Sequence, residues 1–124
     1  MFLKPMNILF GSMILMEIED LKNWESLKDF FDYIWLKRRE KDAIGYFVYC
    51  FETGTKLREK RFRFNTRIYH HVLLKSKYEQ FKFKEWNIAI VHPDVHDQVH
   101  ANEEKTPRLE IKKKELLKQI INEV

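Results

Sequence analysis

The chain has 124 residues, 44% of them hydrophobic and 15% aromatic, with only 3 Gly and 3 Pro, which excludes a disordered chain, a collagen-like array and a low-complexity linker. The formal charge is +4, from 23 Lys and Arg against 19 Asp and Glu. One cysteine excludes an internal disulfide and Cys-built zinc ribbons, so any metal site must draw on the five histidines or on Asp, Glu and Asn.

Residues 1–20 read as an N-terminal extension or buried strand, and 21–124 as one domain. The opening run MFLKPMNILFGSMILM is apolar, but Pro5 and Gly11 interrupt it, it is too short to span a bilayer, and it lacks the small-residue cleavage site of a secretory signal. Met13 and Met16 leave a later translation start open. From Leu21 to Glu40 the spacing of Leu21, Trp24, Leu27, Phe31, Ile34 and Trp35 predicts an amphipathic helix with Asp20 as N-cap, and Phe30 and Leu36 widen its apolar stripe. Next, GYFVYCFETGTKLREKRFRF reads as two extended runs about the turn Thr53-Gly54-Thr55. Cys50, in the first run, reads as a small buried apolar side chain, since nothing nearby marks a reactive thiol.

Charge is unevenly spread. Lys56 to Trp86 carries net +7, interleaved with Phe62, Phe64, Tyr69, Tyr78, Phe81, Phe83 and Trp86, which leaves −3 for the rest. A basic and aromatic block suits a polyanion, because Lys and Arg displace counterions from phosphates. A solvated basic face of an ordinary domain gives the same pattern, and charge alone does not separate the two. The candidates for phosphate contact are Arg63, Arg67, Lys75, Lys77, Lys82 and Lys84. Trp86 reads as a core anchor of its loop, with base stacking as the alternative.

All five histidines lie between Tyr69 and Ala101. An extended run over Arg67 to Leu74 carries His70 and His71, a basic loop follows, Asn87 to Val91 makes a short apolar strand, and Pro93 opens a helix at its first position. On that helix His96 and His100 are four apart and share a face, so they can clamp one metal ion, with His70 as a third nitrogen. Three ligands leave positions open for water and substrate. The C-terminal LEIKKKELLKQIINEV places Leu109, Leu116, Leu117, Ile120 and Ile121 at helical spacing behind Pro107; Lys112, Lys113 and Lys114 are its wet face or further phosphate contacts.

A tandem His70-His71, Asn87 sixteen residues after His71, His96 nine after Asn87 and His100 four later, on a strand, loop, strand and helix, resembles the HNH endonuclease motif. The His spacing is similar to that of the nuclease domains of DNase colicins and pyocins, and the segment also resembles small phage-encoded HNH proteins, homing-type endonucleases among them. The resemblance covers Arg67 to Asn102, about a third of the chain, and Tyr46 to Leu117 loosely. It implies an α+β fold: a ββα-metal motif with an N-terminal helix, a preceding β-hairpin and a C-terminal helix. His71 would be the general base; His70, His96 and His100 would hold one divalent ion, Mg²⁺, Mn²⁺, Zn²⁺ or Ni²⁺; and Asn87 would brace the loop. Imidazole ligands favour transition ions, while family precedent permits Mg²⁺.

The lone Cys50 departs from family members braced by a structural zinc, and His92 has no ligand counterpart, reading instead as an N-cap before Pro93. Asp94 and Asp97 are favourable charges in the first helical turn. The implied activity is metal-dependent hydrolysis of DNA, duplex foremost, by a monomer or homodimer without a membrane partner, in the cytoplasm of a bacterial host. The alternative from another class is a non-cleaving DNA-binding accessory module of a phage DNA-processing machine; a structural zinc domain and an RNA substrate are further readings.

Overall fold

The computed structural model describes residues 26–101 and 105–123, without the side chains of His100, Asn122 and Glu123. The expectations for residues 1–20, the Asp20 cap, Leu21 and Trp24 lie outside that range. What is described is a mixed α+β arrangement of two small antiparallel sheets with helices. Among the described residues no helix is long and apolar enough to cross a membrane.

Helix α1 spans Leu27–Arg38. Its N-cap is Ser26, whose Oγ accepts the Asp29 N–H at 3.2 Å, with Asp29 in the first turn and Lys37 and Arg38 in the last, as the helix dipole favours. The predicted stripe is buried at Phe30, Phe31, Ile34 and Trp35, each contributing roughly 1.5–3 kcal/mol. Leu36, expected to join it, is instead exposed, and Glu40, expected as the last helical residue, is in a strand. The helix stops at Arg38 because Arg39 turns extended (φ −65°, ψ 149°).

Strands β1 (Glu40–Lys41), β2 (Tyr46–Tyr49) and β3 (Lys56–Arg58) form one sheet in that order. The register Phe47↔Arg58, Val48↔Leu57 and Tyr49↔Lys56 matches the hairpin read from the sequence, with Gly54 at φ +77° in its turn. Asp42 closes the β1–β2 turn, accepting from Ile44 N and Gly45 N at 3.0 and 3.1 Å and from both Arg58 terminal nitrogens at 2.7 Å. Hydrogen bonds from Arg58 and then Lys56 hold its carboxyl well below the usual carboxylate range. Short helix α2 (Glu59–Phe62) follows, and Glu59 Oε1 accepts the indole N–H of the buried Trp35 at 2.7 Å.

The second sheet pairs β4 (Tyr69–His71) with β5 (Ile88–Ile90), register Tyr69↔Ile90, His70↔Ala89 and His71↔Ile88. The predicted extended run from Arg67 to Leu74 is thus only three residues long as a strand. A 3-10 turn over Thr66–Ile68, capped by the Asn65 side chain, precedes it. The outer carbonyls of β5 are also engaged: Ile88 O accepts Arg38 Nη1 at 2.7 Å and Ile90 O accepts Phe51 N at 2.8 Å, so the strand has no bare edge there. Helix α3 (Pro93–Ala101) begins at Pro93 as predicted.

Helix α4 (Pro107–Glu123) packs Leu109 and Leu116 into the core, with Leu117 and Ile120 at its margin; Ile121, expected on that face, is exposed. Its N-terminus is capped across the fold: Glu52 in the hairpin turn accepts from Arg108 N at 3.1 Å and Leu109 N at 3.0 Å.

Candidate active site

Alternation along β4 sorts its side chains to two faces. Tyr69 and His71 turn toward α1, where the Tyr69 ring stacks on Phe31 (centroids 4.5 Å) and the His71 ring lies 5.9 Å from it. His70 points the other way, is buried, and meets His96 of α3 edge to face, with ring centroids 5.5 Å apart and planes at 85°. Two histidines 26 positions apart in sequence are therefore neighbours because the β4–β5 pairing delivers the start of α3 against β4.

His71 Nε2 is 2.9 Å from the main-chain oxygen of Lys82. A carbonyl only accepts, so this nitrogen carries the hydrogen and Nδ1 keeps the lone pair. Burial lowers the imidazole pKa most; the Lys82 carbonyl opposes this by favouring the charged form, and the charges of Lys75 and His96 lower the pKa further. The net direction is downward, toward a neutral ring with a basic Nδ1 at neutral pH.

Asn87 is completely buried at the end of the loop that supplies Lys82. Its Oδ1 accepts from Leu73 N at 2.7 Å, and its Nδ2 donates to Leu73 O at 3.1 Å and Phe81 O at 3.2 Å. With Val72 N donating to Asn87 O at 2.8 Å, these bonds tie both ends of the loop together beside His71. The amide side chain thus anchors Phe81, the residue immediately before the Lys82 carbonyl that fixes the His71 tautomer.

His92 caps α3: its Nδ1 accepts the Asp94 N–H at 3.1 Å, and its carbonyl accepts from Val95 and His96 N–H. His92 N in turn donates to the buried Cys50 sulfur at 3.3 Å. Cys50 is therefore a core side chain, as predicted, and also the acceptor that steers the chain into α3.

Two imidazoles sharing a tetrahedral ion at ordinary Zn–N distances have ring centroids about 5 Å apart. The His70–His96 spacing is compatible with that, and imidazole donors suit transition ions. His100 lies one turn beyond His96 on α3, and its side chain is outside the described residues. Among the described residues no group of three His, Cys, Asp or Glu side chains is placed to hold a metal ion.

The basic candidates divide. Arg63 is half-buried with its guanidinium on Asp32 at 2.8 and 3.1 Å, Arg67 is paired with Asp97 at 2.6 Å, and Lys82 meets Glu79 at 3.1 Å. Asp97 is thus an ion-pair partner of β4's approach as well as a charge on α3. Lys84 is half-buried, whereas Lys75 and Lys77 are exposed on the turn after β4. Trp86 packs on Phe81 (centroids 5.1 Å) with its indole N–H buried, which fits a loop anchor. The Lys82 carbonyl, Arg38 and the placing of Phe31 beside His71 escaped the sequence reading; main-chain oxygens carry no residue signal, and the partners of Arg63 and Arg67 lie 31 and 30 positions away.

No family model, curated protein or solved structure matches the chain.

Proposed function

We propose that the protein is a metal-dependent endonuclease of the HNH type that hydrolyses DNA phosphodiester bonds, with the strand, strand and helix unit β4–β5–α3 as its ββα-metal motif. The observation that carries this reading is the pairing of two adjacent histidines with opposite roles. His70 is turned inward against His96 of α3, and His71 is turned away with Nε2–H on Lys82 O and Nδ1 left basic. A strand separates such neighbours by geometry alone, so one histidine is available to a metal while the next acts on water.

In this reading His71 Nδ1 takes the proton of the water that attacks phosphorus. The Lys82 carbonyl holds the ring in the required tautomer and stabilises the imidazolium that forms. Asn87 holds the carbonyl of Phe81, the residue that precedes Lys82. His70, His96 and His100 would hold the divalent ion, which when bound supplies positive charge to the scissile phosphate and the leaving 3′-oxygen. The expected products carry 5′-phosphate and 3′-hydroxyl ends. Exposed Lys75 and Lys77 lie beside this site in sequence and supply phosphate attraction.

The test is incubation of supercoiled plasmid, and of DNA from the source genome, with the purified chain and Mg²⁺, Mn²⁺, Ni²⁺ or Zn²⁺ in turn. Nicked or linear product that disappears with EDTA is expected. Salt-sensitive binding without cleavage under every metal would favour the accessory-module reading instead.

A further inference from the structure

A cleft of about 420 Å³ opens on the far side of β5 from β4, between the hairpin turn and α4, and among the described residues no histidine lines it. Its floor is Ile88, Ala89 and Ile90. Its charged walls among the described residues are Arg38, Arg108 and Lys112 with Glu40, and its aromatic rim is Tyr49 and Phe51, both exposed. Arg38 already donates to Ile88 O and Glu85 O, so it contributes charge to the cleft rather than a free fork. Lys112 Nζ lies 5.6 Å from the centre of the Phe51 ring. Burial, and then the Arg38 charge, push the Lys112 ammonium pKa down, with Glu115 opposing. That is the behaviour of a half-buried cation with a second cation nearby, and an arriving anion favours its charged form. The α4 N-terminus is not the attraction, because Glu52 occupies it.

We infer that this cleft is a subsite for one unpaired DNA strand, with a phosphate set among Arg38, Arg108 and Lys112 and a base laid on Tyr49 or Phe51. Phosphate contacts alone suit duplex or single strand equally. Exposed rings beside the cations favour the single strand, because a base offers its face only when unstacked. The choice of DNA rests on the endonuclease reading above. A subsite on one side of β5 and the histidines on the other would let a single strand of the motif register substrate against the cutting site: Ala89, the cross-strand partner of His70, also lines the cleft.

The experiment is a metal-free titration, in EDTA, of labelled single-stranded and duplex oligonucleotides with the full chain, read by fluorescence anisotropy over a range of salt. Arg108→Gln and Lys112→Gln are each expected to weaken single-strand binding several-fold and to reduce the log K against log salt slope by about 0.7. Tyr49→Ala is expected to weaken it about tenfold with the slope unchanged, and to leave duplex binding alone. Arg108 is exposed, so its variant keeps the test open should Lys112→Gln fail to fold. Unchanged affinity and slope in variants that melt like the parent would overturn the subsite. So would inorganic phosphate or a mononucleotide competing as well as the strand, which would mark a free-nucleotide pocket. Because no cleavage is needed, strand binding that persists in a chain unable to cut DNA would remove the endonuclease reading and leave the subsite standing.

Discussion

The His71 imidazole donates from Nε2 to the main-chain oxygen of Lys82 across 2.9 Å, which leaves Nδ1 as the only basic nitrogen of the ring. Burial places the pKa of that ring below its ordinary value of about 6.5. A general base works unprotonated, so a lowered pKa moves the acid limb of the rate profile to lower pH. The cleavage rate is therefore expected to hold as pH falls to the usual histidine range and to drop only beneath it. Single-turnover rates over pH 4.5–8 with a pH-insensitive metal load check this; a midpoint above 6.5 would mean that a different group limits the reaction.

Asn87→Ala should lower stability by about 3 kcal/mol, since the two Leu73 main-chain groups and Phe81 O lose their partner in a buried site. For a chain of this size that is a fall in Tm of about 10 °C. Asn87→Asp should be no better, because a carboxylate oxygen would then face two carbonyls. Thermal melts followed by circular dichroism measure both.

His92 caps α3 through Nδ1, so His92→Ala should cost about 1 kcal/mol, while His92→Asn, which offers an oxygen at the same position, should retain most of it. If His92 were instead a metal ligand, metal affinity would fall in both variants. Isothermal titration with Ni²⁺ alongside the melts separates cap from ligand.

Among the basic residues, exposure divides the proposed phosphate contacts from the structural ones. Lys75→Ala and Lys77→Ala should each reduce the duplex salt slope by about 0.9 with no change in Tm. Arg63→Ala should do the reverse, lowering Tm with little change in slope, because its guanidinium is held by Asp32. Filter binding at several salt concentrations, paired with melts, reads both quantities.

The elements that local pattern controls were legible in the residues themselves. The Thr53-Gly54-Thr55 turn needs a left-handed glycine and has one, Pro93 starts a helix where its missing N–H costs nothing, and the stripe Phe31, Ile34 and Trp35 has helical spacing. The clustering of His70 with His96 followed from placing one on a strand and the other on the helix after the next strand. What escaped depends on pairs distant in sequence. Nothing near Arg63 announces Asp32, and nothing near Arg67 announces Asp97, so positive charge counted along the chain overstated the charge left for phosphate. Glu40, the first residue of β1, reads as helical from its neighbours because it fits either state, and the choice is made by its pairing with Phe47. The cleft beneath α4 was invisible for the same reason: Arg38, Phe51 and Lys112 meet only when β5 is in place.

The most direct measurement of the central claim is plasmid cleavage by the parent chain and by His71→Ala, side by side at saturating Mn²⁺ or Ni²⁺, with equal melting curves. The expected result is metal-dependent nicking by the parent and its loss, by a factor of about 10² or more, in the variant. Cleavage of equal rate in both, or intact plasmid and source DNA in both, would contradict the assignment of His71 as the base of a DNA-hydrolysing site.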